Sequence, residues 1–120
     1  MNYLQYRSLF KNNKYHANRV EYNGRTYDSR KEAKRAAVLE QQEKLGIIKN
    51  LQKQVSFELQ PGYTNNQGKK IRSIIYVADF VYEKDNVFYV EDTKGFKTPE
   101  YRLKRKLFEY KYPGYVFVES

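Results

Sequence analysis

The pattern of hydrophobic and polar residues predicts four strands, which cover residues 54–59, 71–82, 87–94 and 115–118. In the first, Val55, Phe57 and Leu59 alternate with polar residues, as expected for a strand with one buried face. The second is apolar on both faces, which is typical of a strand in the centre of a sheet. A turn at Lys84-Asp85-Asn86 joins the second strand to the third.

The first half of the chain predicts a hairpin followed by a helix. Asn23-Gly24 is a strong signal for a two-residue hairpin turn, and the flanking residues alternate. Ser29 and Glu32 form a capping box, and helix-forming residues continue to Leu45. Gly46 then follows in the position where glycine commonly ends a helix.

A second helix is predicted from Thr98 to about Tyr112. Thr98 can cap the helix, and Pro99 fits its first position. Pro113-Gly114 ends it. The residues expected to face inward are Leu103, Leu107, Phe108 and Tyr110.

The order of elements is hairpin, helix, three strands, helix and strand. It predicts a mixed α/β (α+β) domain over residues 19–120, with a central mixed sheet flanked by helices (α-β-β-β-α-β) after an N-terminal β-hairpin. Residues 1–18 show no sustained period and are rich in Asn and Lys. We expect them to form a basic N-terminal arm.

Composition restricts the possible chemistry. Lys and Arg number 23 against 14 Asp and Glu, a net charge of +9, which favours a polyanionic partner, and DNA is the one we expect. The 13 Tyr and 7 Phe interleaved with these cations can stack on bases or fill a core. Cysteine is absent and His16 is the only histidine, which excludes zinc sites built on cysteine and metal sites built on several histidines. No apolar run reaches transmembrane length, so we expect no membrane partner and a cytoplasmic location.

The residues that suggest catalysis lie in the stretch 77–95, VADFVYEKDNVFYVEDTKG. Regular alternation places Asp79 on the same face as Val77 and Val81, where an unpaired carboxylate would be costly to bury. Asp92 and Lys94 are two residues apart on the next strand and share a face. Two carboxylates brought together across a hairpin can bind Mg²⁺ or Mn²⁺, as phosphodiester hydrolysis requires.

With Asp79 on one strand and Asp92-Thr93-Lys94 on the next, the chain resembles the PD-(D/E)XK nuclease superfamily. Ala78 stands where the nominal motif has proline. Three stretches, YDSRKEAKR, ADFVY and VEDTKGFKTPEYRLKRKLFEY, make it similar to a group of short phage-encoded proteins of this superfamily. The resemblance implies a restriction-endonuclease-like core and a Mg²⁺- or Mn²⁺-dependent deoxyribonuclease that leaves a 5′-phosphate and a 3′-hydroxyl.

The resemblance also implies roles for individual residues. Asp79, Asp92 and the backbone carbonyl of Thr93 would bind the metal, and Lys94 would orient the attacking water and neutralise the phosphate. A glutamate on the first helix often reaches the metal in such enzymes, and Glu32 is the candidate metal ligand and catalytic residue here. Because Glu32 also belongs to the predicted capping box, its two roles compete.

Three further residues are secondary candidates. Glu91 adjoins Asp92 but points to the opposite face of a regular strand, so a bulge would have to turn it towards the site. Glu40 is an alternative to Glu32 on the same helix. Gln54 begins a strand that we expect beside the site, where its amide could orient water or phosphate.

Basic residues at the second helix form the predicted DNA-binding surface. They are Lys97, Arg102, Lys104, Arg105 and Lys106. The helix N-terminus can also receive a phosphate through its free N–H groups. The alternative is an ordinary solvated charged face.

We therefore expect a metal-dependent DNA endonuclease, selective for branched or junction DNA in phage replication or recombination, in the cytoplasm of a host bacterium. Cutting both strands would call for a homodimer, and phage replication or recombination proteins are candidate partners. The alternative is a non-catalytic nucleic-acid-binding module of the same fold, in which Asp79 and Asp92 are structural. A protein that inhibits an acidic host partner is a third hypothesis.

Overall fold

The computed structural model describes residues 19–94 and 96–120, and the chain divides into two units. The first unit is Met1–Val38 and the second is Leu39–Ser120. Helix α1 (Arg30–Lys44) begins in the first and ends in the second. The basic arm predicted for residues 1–18 lies outside the described residues, so its boundary with a domain over 19–120 stays a prediction.

The described part of the first unit begins with a hairpin. Strands β1 (Val20–Tyr22) and β2 (Arg25–Tyr27) pair antiparallel around Asn23 and Gly24. The φ angles of these two residues, 51° and 76°, are both positive. This is the type I′ geometry that an Asn-Gly turn favours, so the predicted hairpin is confirmed.

Both ends of α1 follow the signals in the sequence. At its start, the backbone N–H of Glu32 donates to Ser29 Oγ at 3.1 Å. At its end, Gly46 has a φ of 77°, and the N–H of Ile47 donates to the Gln42 carbonyl at 2.9 Å. This is a Schellman arrangement, which uses the left-handed conformation that glycine adopts without steric cost.

The strands of the second unit are β3 (Lys49–Gln60), β4 (Tyr63–Thr64), β5 (Lys70–Ile71), β6 (Ile74–Lys84), β7 (Val87–Asp92) and β8 (Tyr115–Glu119). Four of them form a sheet in the order β3-β6-β7-β8, in which β7 and β8 are parallel and the other neighbours antiparallel. Helix α2 (Pro99–Lys111) lies between β7 and β8 in the chain. The mixed α+β fold and its order of elements are therefore confirmed, with β6 central as its apolar pattern predicted.

Two strands begin elsewhere than predicted because pairing sets their length. β3 starts at Lys49, ahead of the predicted residue 54, since Lys49 pairs with Glu83 near the end of β6. β6 starts at Ile74, opposite Gln60 at the end of β3. The segment between β3 and β6 contains a small separate hairpin of β4 and β5.

Strand β7 ends earlier than predicted. Asp92 is its last residue and pairs with Glu119 at the end of β8. Thr93 and Lys94 follow the strand, so the position of Lys94 does not result from strand alternation. The Lys94 side chain nevertheless contacts Asp92 directly.

The alternation along β6 changes phase at Asp79. Ala78 belongs to the core cluster and so does Val81, although residues an odd number apart on a regular strand lie on opposite faces. The neighbouring pairs in the register place Gln54 opposite Asp79, and Gln54 has a positive φ of 54°. The prediction that Val77 and Val81 share a face is therefore wrong, because Val77 is exposed and Val81 is buried.

Helix α2 packs on the sheet through aromatic side chains. The rings of Phe108 and Phe57 meet edge to face with centroids 4.9 Å apart, and Phe108 meets Phe117 of β8 at 5.9 Å. Tyr76 of β6 contacts Phe108 at 5.4 Å. Aromatic pairs in such geometries stabilise a core beyond the area that they bury.

The buried face of α2 differs from the prediction. Thr98 caps the helix as expected, with its Oγ1 accepting the N–H of Tyr101 at 3.1 Å. Tyr101 and Phe108, two turns apart, are the buried residues. Three residues predicted to face inward are exposed: Leu103, Leu107 and Tyr110. Phe108 is buried as predicted, whereas Tyr101 was not among the residues predicted to face inward.

Variants of α2 test this orientation. Phe108→Ala should lower the free energy of unfolding by about 3–5 kcal/mol, because it removes a buried ring from the aromatic core. Leu103→Ala, on the exposed face of the same helix, should change it by roughly 0.5 kcal/mol or less. Urea denaturation of both variants measures the difference, and equal losses would contradict the orientation of α2.

Candidate metal centre

Asp79 is held in place by hydrogen bonds from two other segments. Its Oδ2 accepts the backbone N–H of Thr93 at 2.8 Å and the Thr93 hydroxyl at 2.9 Å. Its Oδ1 accepts the side-chain amide of Gln54 at 3.3 Å. Asp79 is half-buried, so the carboxylate is oriented while part of it stays accessible. The structure thus brings the secondary candidate Gln54 to the predicted site.

Asp92 is fully buried, and its two oxygens differ in their surroundings. The Tyr76 hydroxyl donates to Asp92 Oδ2 at 2.6 Å. Burial and the charge of Asp92 raise the pKa of Tyr76 above its ordinary value, so the phenol keeps its proton. Asp92 Oδ1 accepts no hydrogen bond from the part of the chain that the structure describes. Leaving a buried carboxylate oxygen without one is unfavourable unless a cation binds it.

The neighbouring carboxylate adds to the cost of charging Asp92. Burial raises the pKa of Asp92 from 3.8 to about 6, and the charge of Asp79 acts in the same direction. Tyr76 and Lys94 oppose the rise without cancelling it. The last pair between β6 and β7 is Phe80 with Glu91, and one further step of that register places Asp79 opposite Asp92. The local charge thus favours a bound cation.

Lys94 lies between a carboxylate and an aromatic ring. Its Nζ is 3.3 Å from Asp92 Oδ1 and 5.1 Å from the centroid of the Tyr101 ring. The oxygen that lacks a hydrogen bond is therefore still close to a positive charge. The Lys94 side chain is 35% exposed, so the ammonium can also contact a ligand that arrives from solvent.

This donor set suits a hard divalent cation. No group of three or more His, Cys, Asp or Glu that could hold a metal occurs within residues 19–94 and 96–120, so the site offers Asp79 and Asp92. Mg²⁺ commonly binds through one or two carboxylates and keeps several waters. The buried Asp92 Oδ1, which accepts no hydrogen bond from the described residues, and the accessible part of Asp79 fit this pattern. The Thr93 carbonyl stays a predicted third ligand.

The two glutamates proposed on α1 differ in what the structure shows. Glu32 is buried in the first turn, and its backbone N–H donates to the Ser29 hydroxyl, so Ser29 caps the helix. Its role in metal binding or catalysis stays a prediction. Glu40 forms an ion pair with Lys53 of β3, which accounts for its charge without a metal.

Glu91 lies on the other face of the sheet. It is fully buried and accepts the Tyr82 hydroxyl at 2.7 Å. It pairs with Phe80 across the strands, whereas Asp92 belongs to the face that α2 covers. The arrangement agrees with the alternation that set Glu91 apart from Asp92.

The predicted DNA-binding residues mostly gather at one cleft beside α2. Those that line it are Lys97, Arg102, Arg105 and Lys106. Lys104 instead pairs with Glu100 at 3.2 Å on the helix surface. Most of the predicted basic residues thus line one concave surface and are not spread evenly over the helix.

Three residues beside the site were not predicted from the sequence: Tyr76, Tyr101 and Glu119. The Tyr76 hydroxyl reaches Asp92 only because of the phase change in β6. Glu119 lies opposite Asp92 because β8 runs parallel to β7 in this register. The sequence shows an acidic residue, Glu119, directly after the last predicted strand. It does not show the register of that strand against β7, which brings Glu119 to the site.

Residues 12–118 match the family described as "Protein of unknown function (DUF1064)". The chain belongs to this family. The match includes Asp79, Asp92, Lys94 and all of α2, so the candidate metal centre and the basic cleft lie within the matched region. No curated protein and no solved structure matches this DUF1064 chain. None of its described helices is long and apolar enough to cross a membrane.

The raised pKa of Asp92 predicts how stability without metal depends on pH. Because the folded pKa of about 6 exceeds the ordinary 3.8, the protonated carboxyl contributes stability at low pH that is lost as pH rises through 6. In EDTA, wild type should therefore lose on the order of 2–3 kcal/mol relative to Asp92→Asn between about pH 4 and pH 8. Urea denaturation at several pH values measures this, and a constant difference would contradict the raised pKa.

Proposed function

We propose that this DUF1064 protein is a metal-dependent DNA endonuclease of the PD-(D/E)XK superfamily, which hydrolyses phosphodiester bonds with Mg²⁺ or Mn²⁺. The observation that carries the proposal is the buried Asp92 beside Asp79, with Asp92 Oδ1 lacking a hydrogen bond and Lys94 at 3.3 Å. Buried charges that serve only structure are normally satisfied at all their polar atoms. A buried carboxylate oxygen that has a lysine nearby but no hydrogen bond supports binding of a cation and an anion together.

Each residue of the centre has a distinct role in this proposal. Asp79 and Asp92 hold the cation, with the Thr93 carbonyl as a third ligand. Tyr76 and the N–H of Thr93 donate to the carboxylate oxygens and thereby fix their orientation. A divalent cation bound there lowers the pKa of a water molecule and stabilises charge on the phosphate. When DNA binds, the Lys94 ammonium leaves Asp92, pairs with the phosphate and orients the attacking water.

DNA is the substrate that the charge distribution supports. The net charge is +9, and four cations line the cleft beside α2. Few groups of this small chain are available to read bases, so we infer recognition by DNA shape, such as branches or junctions in phage replication or recombination. Cutting both strands would use a homodimer, and replication or recombination proteins of a phage in its host's cytoplasm are candidate partners.

A second candidate function is a non-catalytic DNA-binding module of the same fold. The ion pair between Lys94 and Asp92 favours it, because the lysine already offsets the buried negative charge. In this case the cleft beside α2 binds DNA, and the two aspartates only stabilise the fold. Metal dependence separates the two functions.

Cleavage of a labelled DNA panel tests the proposed nuclease. The panel comprises single-stranded, duplex, nicked, flap and four-way-junction DNA, with Mg²⁺, Mn²⁺ or EDTA. Wild type should cut a branched substrate only with metal, and Asp92→Asn should cut it roughly a hundredfold more slowly or not at all, because the charge that holds the cation is lost.

Asp85→Asn is the matched control for this assay. It makes the same chemical change in the turn between β6 and β7, where Asp85 has a φ of 52° that asparagine tolerates. It should cut like wild type. Binding of the panel without cutting by any of the three proteins would support the non-catalytic module and refute the nuclease.

Thermal unfolding measures metal binding without DNA. Mn²⁺ should raise the melting temperature of wild type, because only the folded chain brings Asp79 and Asp92 together. Tyr76→Phe should bind Mn²⁺ about ten- to a hundredfold more weakly, since it removes the bond that orients Asp92. Tyr82→Phe is the control, because it removes the similar bond to Glu91 on the other face. Equal metal shifts in both variants would contradict the role of Tyr76.

A further inference from the structure

A cleft of about 510 Å³ lies beside α2 and the end of β8. Four lining residues are cations, Lys97, Arg102, Arg105 and Lys106, and two are acids, Glu109 and Glu119. Because four cations face two acids, the cleft keeps a positive excess that favours an anionic ligand.

Glu119 contacts three of the donors of this cleft. It accepts the Tyr101 hydroxyl at 2.7 Å and Arg105 Nη1 at 2.5 Å, and Lys97 Nζ lies 3.2 Å from it. The hydrogen bond from Tyr101 lowers the pKa of Glu119, so the carboxylate is ionised at neutral pH. Two oxygens sharing one negative charge are also what a phosphodiester presents, and Arg and Lys bind both kinds of group.

Tyr101 joins this cleft to the candidate metal centre. Its ring lies 5.1 Å from Lys94 Nζ, and its hydroxyl binds Glu119. Glu119 is the β8 residue opposite Asp92 in the register of the sheet. If one phosphate of a DNA strand lies at the candidate metal centre, the next phosphate of that strand therefore lies close to the donors that contact Glu119.

We propose that the cleft binds the phosphodiester next to the one that is cut, and that Glu119 occupies the place of this phosphate until DNA arrives. The inference rests on the proposed function and adds a second anion site to it. In the free protein Glu119 holds Lys97 and Arg105 together against their mutual repulsion. On binding, the phosphate takes over these two cations and is repelled by the displaced carboxylate.

Glu119→Gln tests the proposal, because it keeps an acceptor for Tyr101 but removes the charge. Binding of a short fluorescent duplex is measured by anisotropy at several salt concentrations, in EDTA so that cleavage does not interfere. The variant should bind about three- to tenfold more tightly than wild type. Its slope of log K against log salt should also steepen by about one to two units, as Lys97 Nζ and Arg105 Nη1 lose their charged partner, while Arg105 Nε stays paired with Glu109 at 2.9 Å.

Glu100→Gln is the matched control. It removes the same charge from the start of α2, where Glu100 pairs with Lys104 at 3.2 Å and does not line the cleft. It should change DNA affinity by less than about twofold and leave the salt slope unchanged. Equal gains in Glu119→Gln and Glu100→Gln would overturn the proposal, since net charge alone would then explain both.

Arg105→Gln provides a second test on the same contact. It should weaken DNA binding, and combined with Glu119→Gln it should remove most of the gain in affinity, because the two residues act through one site. A double variant that keeps the whole gain would contradict the proposal.

These results are separable from those on the nuclease. Metal-dependent cleavage with unchanged DNA affinity in Glu119→Gln would leave the proposed function standing and refute the role of Glu119. Tighter, more salt-sensitive binding by Glu119→Gln, without cleavage by wild type, would support the phosphate site in a non-catalytic module and refute the nuclease.

Discussion

Asp92 has no exposed surface, yet it lies beside a second carboxylate, and this repulsion is the constraint on which the site depends. The chain offsets it in three ways. Tyr76 donates to one oxygen of Asp92, Thr93 donates twice to Asp79, and Lys94 brings a positive charge to the remaining oxygen. One buried oxygen still lacks a hydrogen bond, and in our account a divalent cation satisfies it.

The backbone is irregular beside this arrangement. Strand β6 changes phase at Asp79, and Gln54 on the neighbouring strand takes a positive φ of 54° beside it. The change lets β6 bury Ala78 and Val81 on one face while the aspartate between them stays partly accessible. Such irregularities recur next to functional sites because they redirect a side chain without ending the sheet.

Local signals in the sequence were sufficient for much of the fold. The Asn23-Gly24 turn, the Ser29 and Thr98 caps and the order of elements all follow from short-range chemistry, and the structure agrees. Long-range contacts were not accessible in this way. The buried face of α2, the phase change at Asp79 and the approach of Glu119 each depend on how distant segments pair. Asp79, Asp92 and Lys94 could be named from the sequence, but Glu119 and the tyrosines beside them could not.

The central claim is that Asp79 and Asp92 together bind a divalent cation. The most direct measurement is the anomalous difference density of a crystal grown with Mn²⁺. We predict a single strong peak in contact with both carboxylates, with Lys94 displaced from Asp92 Oδ1. A map without a peak at these residues at saturating Mn²⁺, in which Lys94 still pairs with Asp92, would contradict the account.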